Sequence, residues 1–420
     1  MNGQEIDLLL APYRALDLSD EKGWLCGKLL GDLGADVIIL ERPGGDPSRN
    51  IGPFYHDIPD PEKSLYWFAF NNNKRGITLD IETKDGQEIF KRLVEGADFV
   101  IESFSPGYMD NLGIGYQVLS EINPGIIMTS ITPFGQTGPY KDYLASDLVV
   151  MAMSGVQYLY GDPDRPPVRI SFPQAYLHAG ADAFVGTLIA LYHRELTGEG
   201  QYVDTSAQES TMVATFNAIA YWDLNRDILK RTGVLEATMS APGVSWHMVW
   251  PCKDGYVTYA VMGGSSGAKS NKGITEWMNS EGMHDEYLNN MDWDNYNAVK
   301  ITQEIQDRIN QPLFEFFRRH TRQELFDGAV ERGIMLYPVN TIEDIMNDPQ
   351  LKARDFWQKV NHPELSTTIT YPGAWMKSSN ASVGVRRRAP LIGEHNRDVY
   401  QGELGLSRQE LCVLKQASII

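Results

Sequence analysis

Between residues 14 and 150 apolar positions alternate between two rhythms. Short, nearly continuous apolar runs occur in RALDLS from Arg14, ADVIILER from Ala35, GITLDIE from Gly76, DFVIESF from Asp98 and GIIMTSIT from Gly125. Their length and β-branched content predict strands. Stretches with apolar residues every three or four positions separate two pairs of them, over Lys22–Leu33 and Lys84–Glu95. These predict helices, the first stopped at Gly34. Strand and helix alternating with short turns predict an α/β fold with a parallel sheet covered on both faces. Ligands of such sheets lie at the carboxyl ends of the strands.

The stretch from Arg165 to Ser206 predicts a long helix running into the turn TGEGQ and the strand QYVDTS. Leu177, Ala181, Phe184, Val185, Leu188 and Leu191 recur at helical spacing and predict one buried face. Ala179, Gly180, Ala183 and Gly186 lack bulk and let another backbone approach, and Gly198 is a left-handed stop. Residues 207–232 read as one further helix. WHMVWPCKDGYVTYAVMGG, from Trp246, predicts two strands joined at Lys253-Asp254-Gly255. Thr321 with Glu324, Thr341 with Asp344 and Ser407 with Glu410 have the spacing of helix N-terminal capping. The expected segments are 1–206 as the first part of a large domain, a linker helix 207–232, a small α+β domain 233–325, and a return segment 326–420.

Charge narrows the partners. Lys and Arg number 37 against 55 Asp and Glu, a formal net charge of −18. That argues against nucleic acid or an anionic membrane as partner, but not against an anionic ligand in a local basic pocket. The basic run Arg386–Arg388 is expected on a solvated face. Cys26, Cys252 and Cys412 are far apart, so neither a disulfide frame nor a zinc site is expected, and a cytoplasmic setting is. MNGQEIDLLLAPY has no signal-peptide pattern, and no run reaches the roughly 18 apolar residues of a membrane span. No dinucleotide fingerprint or Walker A motif follows the strands; Gly44 and Gly45 read as a surface turn.

The 165–206 stretch resembles the signature of the class III (CaiB/BaiF) CoA-transferases. The small-residue helix, Ala190-Leu191 with Arg194, and the TGEGQYVDTS turn and strand carry the likeness. So do RALDLS, LLGDLGADVIILERP, NNNKRGITLD, FSPGYMDNLG, ASDLVVMAMSG, RGIMLYPV, DPQLKARDFW and RAPLIGEHN, in that order along nearly the whole chain. The resemblance implies a large domain with a parallel, Rossmann-like sheet formed from both chain ends, an inserted small domain, and two subunits interlocked like linked rings. The 207–232 helix and the segment near 305–330 would be the linkers.

One position departs. After Pro173-Gln174-Ala175, Tyr176 stands where the family's nucleophilic aspartate belongs. In the family that carboxylate attacks an acyl-CoA thioester, forms a mixed anhydride, and then becomes an aspartyl-CoA thioester. The chemistry needs a nucleophile ionised at neutral pH: an aspartate, pKa about 3.9, qualifies and a tyrosine, about 10, does not. The resemblance also assigns Arg42 to the nucleotide part of CoA, and Leu79 and Phe104 to the flanks of its adenine. Glu82, Asn111 and Leu144 replace a lysine, an arginine and a lysine that face CoA phosphates. The only candidate for the family's mobile glycine loop is Met262–Gly267.

Fold kept and chemistry removed imply a non-nucleophilic subunit, paired with a homologous subunit that carries the catalytic Asp. Within the family, transfer of CoA from succinyl-CoA to (R)-benzylsuccinate in anaerobic toluene breakdown uses such a pair. Acyl-CoA and a dicarboxylic acid are then the substrates, with no covalently bound cofactor. Tyr158, Tyr160, Tyr176, Trp246 and Trp250 are candidates for an aryl-binding surface or, more simply, for core packing. Two other readings stay open. His178 and Asp182, one turn apart, could form an acid/base couple of an acyl-CoA epimerase, with Asp147 a further acidic candidate. The chain could also be a non-enzymatic CoA-binding scaffold.

Overall fold

A computed structural model describes residues 8–236 and 243–420. The expectations for residues 1–7, and for the part of the small domain over 237–242, lie outside the described residues. The five early runs form β1 (Arg14–Asp17), β2 (Asp36–Glu41), β3 (Arg75–Thr78), β4 (Phe99–Glu102) and β5 (Ile127–Thr132). QYVDTS forms β6 (Tyr202–Ser206). All six join one parallel sheet in the order β3-β2-β1-β4-β5-β6. Strand order turns back between β1 and β4, which opens a crevice at their carboxyl ends.

The helices are α1 (Trp24–Asp32), α2 (Leu65–Asn71), α3 (Lys84–Val94), α4 (Tyr108–Asn111), α5 (Tyr116–Ile122), α6 (Asp147–Met153), α7 (Ala175–Thr197), α8 (Ala207–Met212) and α9 (Phe216–Asn225). α7 packs on α1 and the sheet because its small residues permit it. A Cβ on Gly180 would stand 2.9 Å from Leu25 Cβ, and one on Gly186 would stand 3.0 Å from Val203 Cγ1. Gly198, at φ 82°, ends α7. Phe184 and Leu191 are buried as expected, but Val185 is 51% exposed. With Ile189, Tyr192 and Leu196 it lines an open apolar stripe along α7.

Contacts divide the chain into two units. Among the described residues the larger holds 8–156, 170–215 and 349–420; the smaller holds 157–169, 216–236 and 243–348. The boundaries differ from those expected in two places. Residues 207–232 are not one helix: α8 and α9 are separate, with a 3-10 turn over Val213–Thr215 between them. The Thr211 and Thr215 hydroxyls bond back to the carbonyls of Ala207 and Met212, a habit that bends helices. Arg226, at φ 55°, follows the end of α9. Secondly, the segment after 325 does not return at once to the large unit. The strand Leu336–Pro338 pairs with Gly255–Tyr259, which pairs in turn with Val249–Cys252, in an antiparallel sheet of the smaller unit.

The return segment binds an exposed flank of the large sheet. β3 is an edge strand. The Thr78 amide donates to Asn396 Oδ1 at 2.9 Å, the Gly76 amide to His395 Nδ1 at 3.1 Å, and Tyr400 Oη to the Thr78 carbonyl at 2.6 Å. The edge therefore offers few free groups to a foreign strand. Arg386–Arg388 is not simply solvated. Arg386 donates to the carbonyls of Gly31 and Asp32, Arg387 to that of Asn73, and Arg388 pairs with Glu364 and Glu394. All three capping pairs form as reciprocal capping boxes. The glycine-rich run at 262–267 forms no loop of its own, because Gly264 opens a helix reaching Ser280. Among the described residues no helix is long and apolar enough to cross a membrane.

Candidate active site

The carboxyl ends of β1 to β4 open into a cleft of about 320 Å³. Each strand delivers residues to it just past its last pair: Leu18 after β1, Arg42 after β2, Leu79 after β3 and Phe104 after β4. Glu82 is also in its lining, so the fold brings together four residues spread over 63 positions of sequence, Arg42, Leu79, Glu82 and Phe104. Asn111 and Leu144 are not in that lining, and Leu144 is 93% exposed.

The cleft is poor in positive charge. Arg42 shares the lining with Glu41, Asp46, Asp80 and Glu82. Glu41 is compensated: buried Arg49 grips both its oxygens at 2.6 and 2.7 Å and stacks on Trp67 at 3.6 Å. Asp46 has its pKa raised, by burial first and despite the Ser48 amide it accepts. Tyr108 Oη donates to Glu82 Oε1 at 2.8 Å, and its ring packs against Phe104 at 4.6 Å. Burial, then the bond to Glu82, pushes the Tyr108 phenol up to about 12.

Tyr176 lies in the first turn of α7 and is only 5% exposed. Its hydroxyl donates to the Ala145 carbonyl at 3.1 Å, and its amide donates to Asp147 Oδ1 at 3.3 Å. Burial raises the phenol pKa most; Glu21, Asp20 and Asp147 push it the same way. The group is thus neutral at any working pH and cannot act as an oxyanion nucleophile. Half-buried Tyr66 shares these carboxylates, and burial with them pushes its phenol up to about 12. Asp20 is held by Ser103 Oγ at 2.8 Å and by Lys22, and Glu21 by the Ser48 hydroxyl. Sequence reasoning missed Asp20, Glu21 and Tyr66. The acidic pair directly after β1 was the available signal.

The remaining candidates are not assembled. His178 and Asp182 are both exposed on α7, and no hydrogen bond or ion pair joins them. Asp147 begins α6 and serves the Tyr176 amide. Trp246 and Trp250 are buried in the core of the smaller unit, while Tyr158 and Tyr160 are 45% and 44% exposed. Packing, not an aryl surface, is the role of the two tryptophans. Among the described residues no group of three or more His, Cys, Asp and Glu is placed to hold a metal ion.

Beneath the site Lys74 and Asp17 form a wholly buried ion pair at 2.7 Å. Lys74 also donates to Asn71 Oδ1 at 2.8 Å and to the Trp24 carbonyl at 3.1 Å; Asp17 accepts from the Ser19 amide and hydroxyl. The pair ties the end of β1 to the turn before β3 and to α1.

Glu102, at the end of β4, is 3% exposed and lines a second cleft of about 450 Å³ with Tyr202, Met128 and Lys141. Burial pushes its pKa up to about 7, against the Ser130 hydroxyl and the Phe104 amide that bond it. The folded state therefore holds this proton more tightly than the unfolded chain. Its contribution to stability is full below the unfolded value of about 4.5 and is lost as pH rises through about 7. Urea denaturation of Glu102→Gln should show a wild type that loses roughly 1–3 kcal/mol more than the variant between pH 5 and pH 8. Parallel pH curves would refute that assignment.

The model of the family "CoA-transferase family III" matches residues 13–396. The chain is 36% identical, over 92% of each sequence, to succinyl-CoA:(R)-benzylsuccinate CoA-transferase subunit BbsE of Thauera aromatica. It is 31% identical to the succinyl-CoA–D-citramalate CoA-transferase of Chloroflexus aurantiacus, over 95% of this chain and 94% of that one. A CaiB/BaiF family protein from Brucella suis superposes with a TM-score of 0.79 at 29% identity, over 93% of this chain and 98% of that one. A match across the strands, the cleft and α7 together leaves one conclusion: the chain belongs to CoA-transferase family III.

Proposed function

We propose that this chain is the non-nucleophilic subunit of a hetero-oligomeric class III CoA-transferase. The complex moves CoA from succinyl-CoA to a succinate-type acid, with (R)-benzylsuccinate the favoured acceptor. The observation that carries the reading is Tyr176: a buried neutral phenol, already bonded to the Ala145 carbonyl, at the position of the family's carboxylate. The similarity to a relative named as a subunit of a benzylsuccinate enzyme supports the choice of acceptor. The catalytic aspartate then belongs to a homologous partner subunit. The open stripe of Val185, Ile189, Tyr192 and Leu196, and an α9 with no buried residue, suit a chain that folds around such a partner. Interlocking of the two subunits is part of the same proposal.

Intact-mass and peptide spectrometry after incubation with succinyl-CoA tests it. This chain should carry no succinyl or CoA adduct on any carboxyl side chain, while an aspartate-bearing partner should carry one. An adduct on this chain would end the proposal.

A further inference from the structure

Residues 104–108 form the wall between the two clefts: Phe104 lines the first, Ser105, Pro106 and Gly107 the second, and Tyr108 both. Carboxylates pin this wall at both ends. Glu82 Oε1 accepts from Tyr108 Oη at 2.8 Å, and Glu102 Oε2 accepts from the Phe104 amide at 2.7 Å. Gly107, at φ 79°, turns the chain back into α4. The Phe104 and Tyr108 rings, with centroids 4.6 Å apart and planes inclined at 30°, then stand as one aromatic face. The two pins differ. Glu82 is exposed and holds a side chain. Glu102 ends β4, is 3% exposed and is bonded by the Ser130 hydroxyl, which in turn accepts from Tyr202 Oη at 2.8 Å. Its oxygen is therefore anchored in the sheet, and the bond fixes the Phe104 backbone relative to β4.

We propose that Glu102 is a positioning residue for CoA binding: by holding the Phe104 amide it sets the aromatic wall against which CoA lies. Glu102 lines the second cleft and not the first, so it acts through Phe104 and not on the ligand. Without that oxygen the Phe104 amide loses its acceptor, and the turn is held from the Tyr108 end. A shift of about 1 Å in such a wall is enough to weaken a ligand contact. Glutamine keeps an acceptor at the same reach, whereas methionine keeps the length without a strong acceptor. The inference goes beyond the proposed function, because it holds whichever subunit carries the nucleophile.

Calorimetric titration of the purified chain with CoA tests it through a double-mutant cycle. Glu102→Met should weaken binding about tenfold, and so should Phe104→Ala. The double variant should also lose about tenfold, since both changes remove the same wall; independent contributions would multiply to about a hundredfold. Glu102→Gln should bind within about threefold of the wild type. Should Glu102→Met not fold, Glu102→Asp takes its place in the cycle: it withdraws the carboxyl by one methylene and should lose about threefold, again with no further loss on top of Phe104→Ala. Multiplying losses, full affinity in Glu102→Met, a glutamine variant as weak as the methionine one, or no CoA binding by the wild type would each overturn the proposal. No transfer assay enters the test, so its outcome is separate from that of the proposed function.

Discussion

Assayed alone, this chain is expected to transfer CoA from succinyl-CoA to benzylsuccinate roughly 10⁴-fold more slowly than when combined with an aspartate-bearing homologous subunit. Loss of a covalent nucleophile from an otherwise complete site typically has an effect of this size or larger. No local group is placed to take over. Tyr176 is neutral and bonded to a backbone carbonyl; Asp147 accepts the Tyr176 amide; Asp20 is occupied by Ser103 and Lys22. These carboxylates also make the surroundings of Tyr176 negative, which is unfavourable to an incoming acid anion. The measurement is a rate of CoA transfer for each purified chain and for the reconstituted mixture. Comparable rates for this chain alone and for the mixture would show that it carries its own nucleophile.

Replacing Lys74 with methionine is expected to destabilise the protein by about 3–5 kcal/mol. The methionine roughly matches the length of the lysine stem, so the loss comes from charge and not from a cavity. Asp17 would be left as an uncompensated buried carboxylate, still bonded to Ser19 but without its cation. Desolvation lowers the Lys74 pKa, and Asp17 opposes that effect most strongly, so each charge is tolerated because of the other. Urea denaturation should show the midpoint falling sharply for Lys74→Met. The double variant with Asp17→Asn should recover a large part of the loss, because no charge then remains buried. A single-variant change below about 1 kcal/mol would mean that the pair is more solvated than its burial implies.

Much of the larger unit was legible in the chain because its signals are local. The runs at Arg14, Ala35, Gly76, Asp98 and Gly125 became the five expected strands, each within a few residues of the reading. The capping pairs at Thr321, Thr341 and Ser407 formed because a cap needs only its own next three residues. Tyr176 was also visible without a structure, since the residue that follows Pro173-Gln174-Ala175 is a sequence fact. The single helix expected over 207–232 does not form, because the continuation of a helix depends on what lies beside it. Nothing in the periodicity of 207–232 distinguished one long helix from α8, a tighter turn and α9.

Sequence by itself determined the parallel α/β class, the family resemblance and the tyrosine at position 176, because each is written in periodicity or in ordered motifs. Only the tertiary structure decided which distant residues meet. It placed Glu82 under the Tyr108 hydroxyl, gathered Asp20, Glu21 and Asp147 around Tyr176, and paired Leu336–Pro338 with Gly255–Tyr259. It also left Val185 exposed on a helix whose pattern predicted burial, and docked Arg386–Arg388 on backbone carbonyls and carboxylates. Spacing along the chain encodes which face a side chain takes. What stands opposite that face depends on strand order and chain return, and these are settled only when the whole core closes.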